Sequence, residues 1–369
     1  MAGIYLHIPF CKQACHYCNF HFSTSLRYQN ELTEALLKEI ELQANYPGKE
    51  TISTIYFGGG TPSLMPVESL EMILEKIRQH FSIDPDAEIT LEANPDDMDN
   101  DNLAAWKQAG VNRLSIGIQS FFEEDLLWMN RAHNAKQAKE SIEAALQHFD
   151  NISIDLIYGV PGLTNERWEQ NVMTALEYNI PHLSCYALTV EPKTPLDKLI
   201  RLSKKEDTVP ENQSEQFLLL MQWMRNAGYE HYEISNFALP GKRSRHNSSY
   251  WKGEKYLGIG PSSHSYNGES RQWNLANNQQ YIQAIKKGMV PFEKEELSHI
   301  QKLNEHIMIS LRTMEGLLLS SLSKEEKDKI ISASKRYTSS GHLLIKDDSL
   351  ILTDEGKLLA DGIAAALFF

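Results

Sequence analysis

The chain has 369 residues, 41% of them hydrophobic and 23% charged; these are ordinary globular values and exclude wholesale disorder, a collagen or a disulfide scaffold. At roughly 150 residues per domain, such a length predicts two or three domains around full-sized cores. With 36 Lys and Arg against 49 Asp and Glu, the formal net charge is −13, which disfavours non-specific binding to nucleic acid or an anionic membrane.

The first ten residues lack the basic start of a signal peptide. No run approaches the roughly 18 apolar residues of a membrane helix, so a cytoplasmic protein without membrane insertion is expected. Ile4 to Ile8 is a predicted strand, and Leu26 to Ala44 a helix with Leu32, Leu36 and Ile40 near helical spacing. Strands follow at Thr51 to Phe57, Glu88 to Ala93, Arg113 to Gln119, Ile152 to Ile157 and His182 to Val190. Helices fall between them at Ser69 to His80, Asp101 to Ala109, Asn134 to His148 and Trp168 to Tyr178. Six strands alternating with helices predict a parallel sheet with helices outside. Gly59, Glu92, Gln119 and Asp155 stand at strand ends, where sites of βα barrels are built. Six strands are too few to close an eight-stranded ring. The expected fold class is therefore α/β, a partial, open parallel βα barrel over residues 1–200.

Residues 201–292 form a connecting region. It has a helix at Gln216 to Asn226 and then, over 228–290, a Gly-, Ser- and aromatic-rich stretch that predicts loops. A small unit occupies 293–369. It has helices at His299 to Thr313 and within Ser323 to Ser339, a hairpin over Leu343 to Leu352 and a last helix at Asp354 to Leu367. This order predicts a winged-helix-like domain. Its mixed charges favour docking or covering over binding DNA, so no nucleic-acid partner is expected.

Three of the four cysteines, Cys11, Cys15 and Cys18, fall within eight residues directly after the first strand. Three thiolates on one tight loop can face a common point. With His16 or His21 they could make a four-ligand zinc site. Alternatively, they could hold an iron–sulfur cubane with one iron left open. Cys185 lies in an apolar strand and reads as a small buried hydrophobe.

The spacing Cys11-x3-Cys15-x2-Cys18, with Tyr17 before the last cysteine and Gly58-Gly-Gly-Thr-Pro62 after the second strand, resembles the radical SAM superfamily. Ile4 to Cys11, Phe57 to Pro62, Leu114 to Ser120 and Ile154 to Pro161 are together similar to the oxygen-independent coproporphyrinogen III oxidase branch, over residues 1 to about 270. The resemblance implies a [4Fe–4S] cluster on Cys11, Cys15 and Cys18, whose open iron chelates S-adenosylmethionine (SAM). It implies that Tyr5, Gly59 and Glu92 contact that SAM. It also implies that Tyr17, Gly60, Thr61, Gln119, Arg131, Asp155 and Ala187 match positions that hold a second SAM in the oxidase. Gly59 and Gly60 would let backbone approach the cofactor, Glu92 can accept from ribose hydroxyls, and Arg131 can pair a carboxylate. Gly258 to Ser265 matches the loop closing over the first SAM, with His264 where the oxidase has an apolar contact.

Two departures point to the haem-chaperone side of the branch. Phe20 stands where the oxidase has a further cysteine, and Tyr5 comes almost at once, without the oxidase's N-terminal extension. His246-Asn-x-x-Tyr250-Trp251 resembles a string associated with haem binding there. Imidazole ligates haem iron, and the two aromatics offer flat apolar surface; His246 on an accessible loop is the expected ligand, with His7, His264 and Cys185 as further candidates. The implied function is binding haem as cargo and passing it to an acceptor protein. The alternatives are a radical enzyme acting on a porphyrinogen and a structural zinc protein.

Overall fold

A computed structural model describes residues 1–369. The first half follows the predicted alternation: β1 (Ala2–Ile8), α1 (Gln29–Leu42), β2 (Ile52–Gly59), α2 (Val67–His80), β3 (Ile83–Ala93), α3 (Asn100–Ala109), β4 (Arg113–Gln119), α4 (Glu123–Met129), α5 (Ala135–His148), β5 (Ile152–Tyr158), α6 (Asn165–Glu177) and β6 (His182–Ala187). Only α4 is unforeseen. It is a seven-residue turn of helix with no room for a periodic apolar face.

The strands alternate strictly. Ile4, Leu6, Ile55, Phe57, Leu91, Leu114, Ile154 and Leu183 point outward, into one core of 62 buried residues shared with the helices. The residues between them are polar or aromatic: Tyr5, Tyr56, Thr90, Glu92, Arg113, Asp155 and Ser184. Parallel pairing keeps these in line, with Tyr5 opposite Tyr56, Tyr56 opposite Thr90 and Asp155 opposite Ser184. One face of the sheet is therefore a hydrophobic floor for helices. The other is a polar interior, because a period of two puts every second side chain on the same side.

Beyond β6 come α7 (Pro195–Arg201), α8 (Pro210–Asn226), β7 (Glu230–Glu233), β8 (Asn236–Ala238), α9 (Arg245–Trp251), β9 (Lys255–Ile259), β10 (His264–Tyr266), β11 (Ser270–Asn274), α10 (Asn278–Lys286) and β12 (Phe292–Glu296). The expectation of loops over 228–290 is thus corrected. These strands are only three to five residues long, too short to signal locally; they exist because they pair onto the edges of the parallel sheet. The sheet has twelve strands in the order β12-β11-β10-β9-β1-β2-β3-β4-β5-β6-β8-β7. It is open and mostly parallel, and larger than the six strands expected. β9 joins β1 in parallel, while β10 to β12 and β7 to β8 extend the two edges antiparallel.

The C-terminal unit has its own core of 13 buried residues, from Leu303 to Leu367. It contains α11 (His299–Leu311), β13 (Leu317–Leu318), α12 (Lys324–Ser339), β14 (Leu343–Lys346), β15 (Ser349–Leu352), α13 (Asp354–Lys357) and α14 (Ala360–Ala366). The predicted hairpin turns through Asp347 and Asp348, both in the left-handed region. β13 adds a third strand to it, and the last predicted helix is two short pieces. Residues 292–296 pair with β11 in the large sheet, so this unit's own packing begins at α11. No helix is long and apolar enough to cross a membrane.

Candidate cofactor site

The cysteine loop leaves β1 and is pinned at its neck and its tip. Cys11 N–H donates to the Ser23 carbonyl at 3.0 Å and Ser23 N–H to that of Pro9 at 2.8 Å. At the tip, His16 N–H donates to the Met129 carbonyl at 3.1 Å, and Asn130 Nδ2 to that of Ala14 at 2.7 Å. All three thiols are free and half-buried. They line one cavity of about 400 Å³ with Gly59, Gly60, Thr61, Glu92, Asn94, Gln119, Arg131, Asp155 and Ala187. Burial pushes the Cys11 thiol up and the Cys18 thiol to about 11.

The donors suit a cluster better than a lone ion. No three His, Cys, Asp or Glu side chains converge closely enough to ligate a single metal. Neither His16, whose Nδ1 meets the Trp128 carbonyl at 3.2 Å, nor His21, whose Nε2 meets Asn278 Oδ1 at 2.7 Å, lines the cavity of the thiols, so neither completes a zinc site with them. Three thiols spaced around an open volume match the donor set of a cubane. Arg131 supplies positive charge. Its Nη1 donates to Cys15 Sγ at 3.3 Å, while Nη2 is anchored to Asn94 Oδ1 at 2.7 Å and the Gly117 carbonyl at 2.8 Å.

Two glycines shape the opposite wall. Gly59 has φ +110°, and a Cβ there would lie 2.6 Å from the His7 ring; on Gly60 it would lie 2.7 Å from the Phe10 carbonyl oxygen. Only glycine lets this turn press against the strand that carries the cysteines. It also presents Gly59 N–H to Glu92 Oε2 at 3.1 Å, while Tyr56 Oη donates to Oε1 at 2.8 Å. Gln119 sits at φ 66° where the β4–β5 register slips, a left-handed conformation that turns the chain into the cavity. Tyr17 lies beside Arg131.

Burial pushes Glu92 up to about 7 against its hydrogen bonds from Tyr56 and Gly59. It pushes Asp155 up to about 6 against the Ser184 hydrogen bond and the charges of Arg113 and Arg131. In the folded chain both carboxyls bind protons more readily than in an unfolded one. Their effect is therefore most favourable below the ordinary carboxylate range, and stability falls as pH rises towards about 7. Glu92→Gln is expected to flatten that fall, read as urea midpoints at about pH 5 and about pH 8. An unchanged dependence would contradict burial as its cause.

The structure leaves some expected residues out of this cavity. Tyr5 lies below it on the inner face, its hydroxyl 3.2 Å from His7 Nδ1. His264 is exposed and stacks against Trp273 with centroids 6.1 Å apart. His7 is buried, its Nε2 2.8 Å from the His21 carbonyl, and Cys185 is sealed in the outer core. Among the residues not foreseen, Asn94 anchors Arg131, while Phe20 and Tyr186, both substantially exposed, stand at the rim. Asn94 follows a strand end, the one signal that could have marked it.

His246 needs a correction. It is not on a loop but on α9, whose N-terminus is capped by Ser244 and by Glu88, which accepts from Arg245 N–H at 3.1 Å and His246 N–H at 3.0 Å. The helix lies against the inner face where β1 and β2 begin, far along the strands from the cysteines. The imidazole is 1% exposed. Its Nδ1 meets Thr54 Oγ1 at 2.7 Å, its Nε2 meets Tyr250 Oη at 2.9 Å, and it stacks on Tyr56 at 4.8 Å. Burial and the charge of Arg113 push its pKa down to about 3. Both ring nitrogens are thus occupied. Tyr250 sits edge-on to Tyr256, and Trp251 lies beneath the Arg312 guanidinium. The three residues of the string do not share one open surface, because positions 246 and 250 face the sheet.

The comparisons agree with this geometry. A family model of the radical SAM superfamily matches residues 5–175. The chain is 34% identical to a Mycobacterium tuberculosis protein named heme chaperone HemW, over 99% of this chain and 94% of that one. It is 33% identical to the Bacillus subtilis heme chaperone HemW over 99% of each chain, and 36% identical to that of Escherichia coli over 71% of this chain and 69% of the other. Among solved structures, the radical SAM enzyme coproporphyrinogen III oxidase (HemN) from Escherichia coli superposes with a TM-score of 0.85 at 22% identity, covering 100% of this chain and 90% of that one; at that identity the likeness speaks for the fold. With three thiols around one cavity, the matching domain and full-length relatives above 30% identity, the chain belongs to the radical SAM superfamily and, within it, to the HemW family.

Proposed function

We propose that this chain is a cytoplasmic haem chaperone that holds a [4Fe–4S] cluster on Cys11, Cys15 and Cys18, binds SAM beside it, and carries haem to an acceptor protein. The observation that carries the reading is full-length similarity to relatives bearing the chaperone name, joined to three thiols around one cavity. Bound there, a [4Fe–4S] cluster supplies a one-electron reductant for SAM. The chain's own residues do the rest. Arg131 donates to Cys15 Sγ and holds positive charge against it. Glu92, oriented by Tyr56 and Gly59, presents a carboxylate to ribose hydroxyls. Gly59 and Gly60 leave the backbone bare for the methionine end. Gln119, Asp155, Thr61 and Ala187 line the part of the cavity that suits a second SAM. The C-terminal unit, with its own core, is winged-helix-like in its order of elements.

At the cavity rim Phe20, 64% exposed, occupies the place of the oxidase's further cysteine, which speaks against porphyrinogen decarboxylation. The test is anaerobic reconstitution, titration with haemin, and mixing of the loaded chain with a haem-free globin. Stoichiometric haem binding and transfer are expected, with SAM bound and coproporphyrinogen III left intact when an electron donor is supplied. Decarboxylation over many turnovers would move the chain to the oxidase reading.

A further inference from the structure

The polar interior of the sheet holds a continuous row of hydrogen bonds. Ser153 and Asp155 alternate on β5, and His182 and Ser184 on β6, so a period of two puts all four on the inner face. Parallel register sets Ser153 opposite His182 and Asp155 opposite Ser184. Asp155 accepts from the Ser184 hydroxyl. Ser184 Oγ lies 3.4 Å from Ser153 Oγ, which lies 2.7 Å from His182 Nδ1. His182 Nε2 lies 2.7 Å from Tyr232 Oη. Ser153, Ser184, His182 and Tyr232 are all buried.

The two ends of the row belong to different cavities. Asp155 lines the cavity of the thiols. Tyr232, on β7, lines a second cavity of about 540 Å³ between the start of β2 and the C-terminal unit. Hydroxyls and charges dominate its walls, among them Ser248, Arg243, Glu254 and Glu315, so it suits water. Each member of the row can accept a proton at one atom while donating from another. Burial and the charge of Arg113 push the His182 pKa far down, so its ring stays neutral. A proton then passes this ring only by exchanging one nitrogen for the other.

We propose that Ser184, Ser153, His182 and Tyr232 form a proton relay between Asp155 and water in the second cavity, through which Asp155 loses its proton when a cationic ligand fills the cofactor cavity. The inference rests on the reading that SAM, whose sulfonium and ammonium groups are cations, occupies that cavity. A cation beside Asp155 favours its carboxylate. A ligand filling the cavity also displaces the water that could take the proton directly. The step moves one proton and no electrons. With Asp155 ionised, Ser184 donates to it, Ser153 to Ser184, His182 Nδ1–H to Ser153 and Tyr232 O–H to His182 Nε2. With Asp155 protonated, every bond reverses: Asp155 donates to Ser184, the proton of His182 sits on Nε2, and Tyr232 donates to water. Loss of the proton restores the first arrangement, so the relay needs no separate reset.

Around Asp155 stand Arg113, Arg131, Glu92, Tyr56, Cys185 and Tyr186. Burial pushes the two tyrosines and the thiol up, so only Glu92 titrates near Asp155. The test is nuclear magnetic resonance of the imidazole nitrogens in the full reconstituted chain, with His182 assigned by its loss in His182→Gln. From about pH 5 to about pH 7.5, either side of the Asp155 value of about 6, the His182 proton is expected to move from Nε2 to Nδ1. Asp155→Asn and Ser153→Ala should each abolish the move, which separates Asp155 from Glu92. At the lower pH, saturating SAM should move the proton to Nδ1 in the wild type. A proton that stays on one nitrogen across this range, or that still moves in Asp155→Asn, overturns the relay. Bound SAM that leaves the proton in place overturns its coupling to the ligand. If pH moves the proton and SAM does not bind, the relay stands and the SAM reading falls.

Discussion

Cys11→Ala, reconstituted anaerobically with iron and sulfide, is expected to hold no cluster, whereas the wild type should hold about four irons per chain. Three protein thiolates are the fewest that leave a single open iron, so losing one leaves two ligands on a loop with no spare donor. His16 and His21, the two histidines of the loop, do not line the cavity. The substitution leaves the loop itself in place, because Cys11 is pinned through its backbone N–H to Ser23 rather than through its sulfur. Far-ultraviolet circular dichroism should therefore be unchanged while the iron content and visible absorption disappear. Cys185→Ser, in the outer core, should keep its iron. Stoichiometric zinc without iron in anaerobically purified wild type would falsify the cluster assignment.

His246→Ala is expected to destabilise the chain by about 3 kcal/mol, through a cavity beside Tyr56 and two broken buried hydrogen bonds. Thr54 Oγ1 and Tyr250 Oη both lose their partner, and Thr54 is 1% exposed. Tyr250→Phe, which breaks only one of the two bonds, should cost about 1 kcal/mol. Urea unfolding measures both. Haemin should still bind to the folded fraction of His246→Ala with the wild-type spectrum, since the ring faces the sheet. A stable His246→Ala chain whose haemin spectrum changes would return the iron to His246.

The six parallel strands, their helices and the cysteine loop were legible in the sequence because each has a local cause. The strands are β-branched runs with every second residue apolar, such as Ile4, Leu6 and Ile8. α5 begins at Asn134, whose side chain and that of Gln137 form the reciprocal cap that such a start requires. Glycines 58 to 60 mark a close approach wherever they occur. The elements that escaped notice have non-local causes. The strand His264–Tyr266 is three residues long and exists by pairing with its neighbours.

The sequence by itself determined the cysteine loop, the polar inner face and the two cores, since these follow from residue type and period along the chain. Only the tertiary structure decided which polar residues meet. Arg131 reaches Cys15 across 116 residues, and Thr54 meets His246 across 192. It also decided that the histidine of the H-N-x-x-Y-W string is sealed between Thr54, Tyr56 and Tyr250. Hydrogen bonding and burial depend on what the fold brings alongside a side chain. Spacing along one helix shows which residues share a face but not what that face meets.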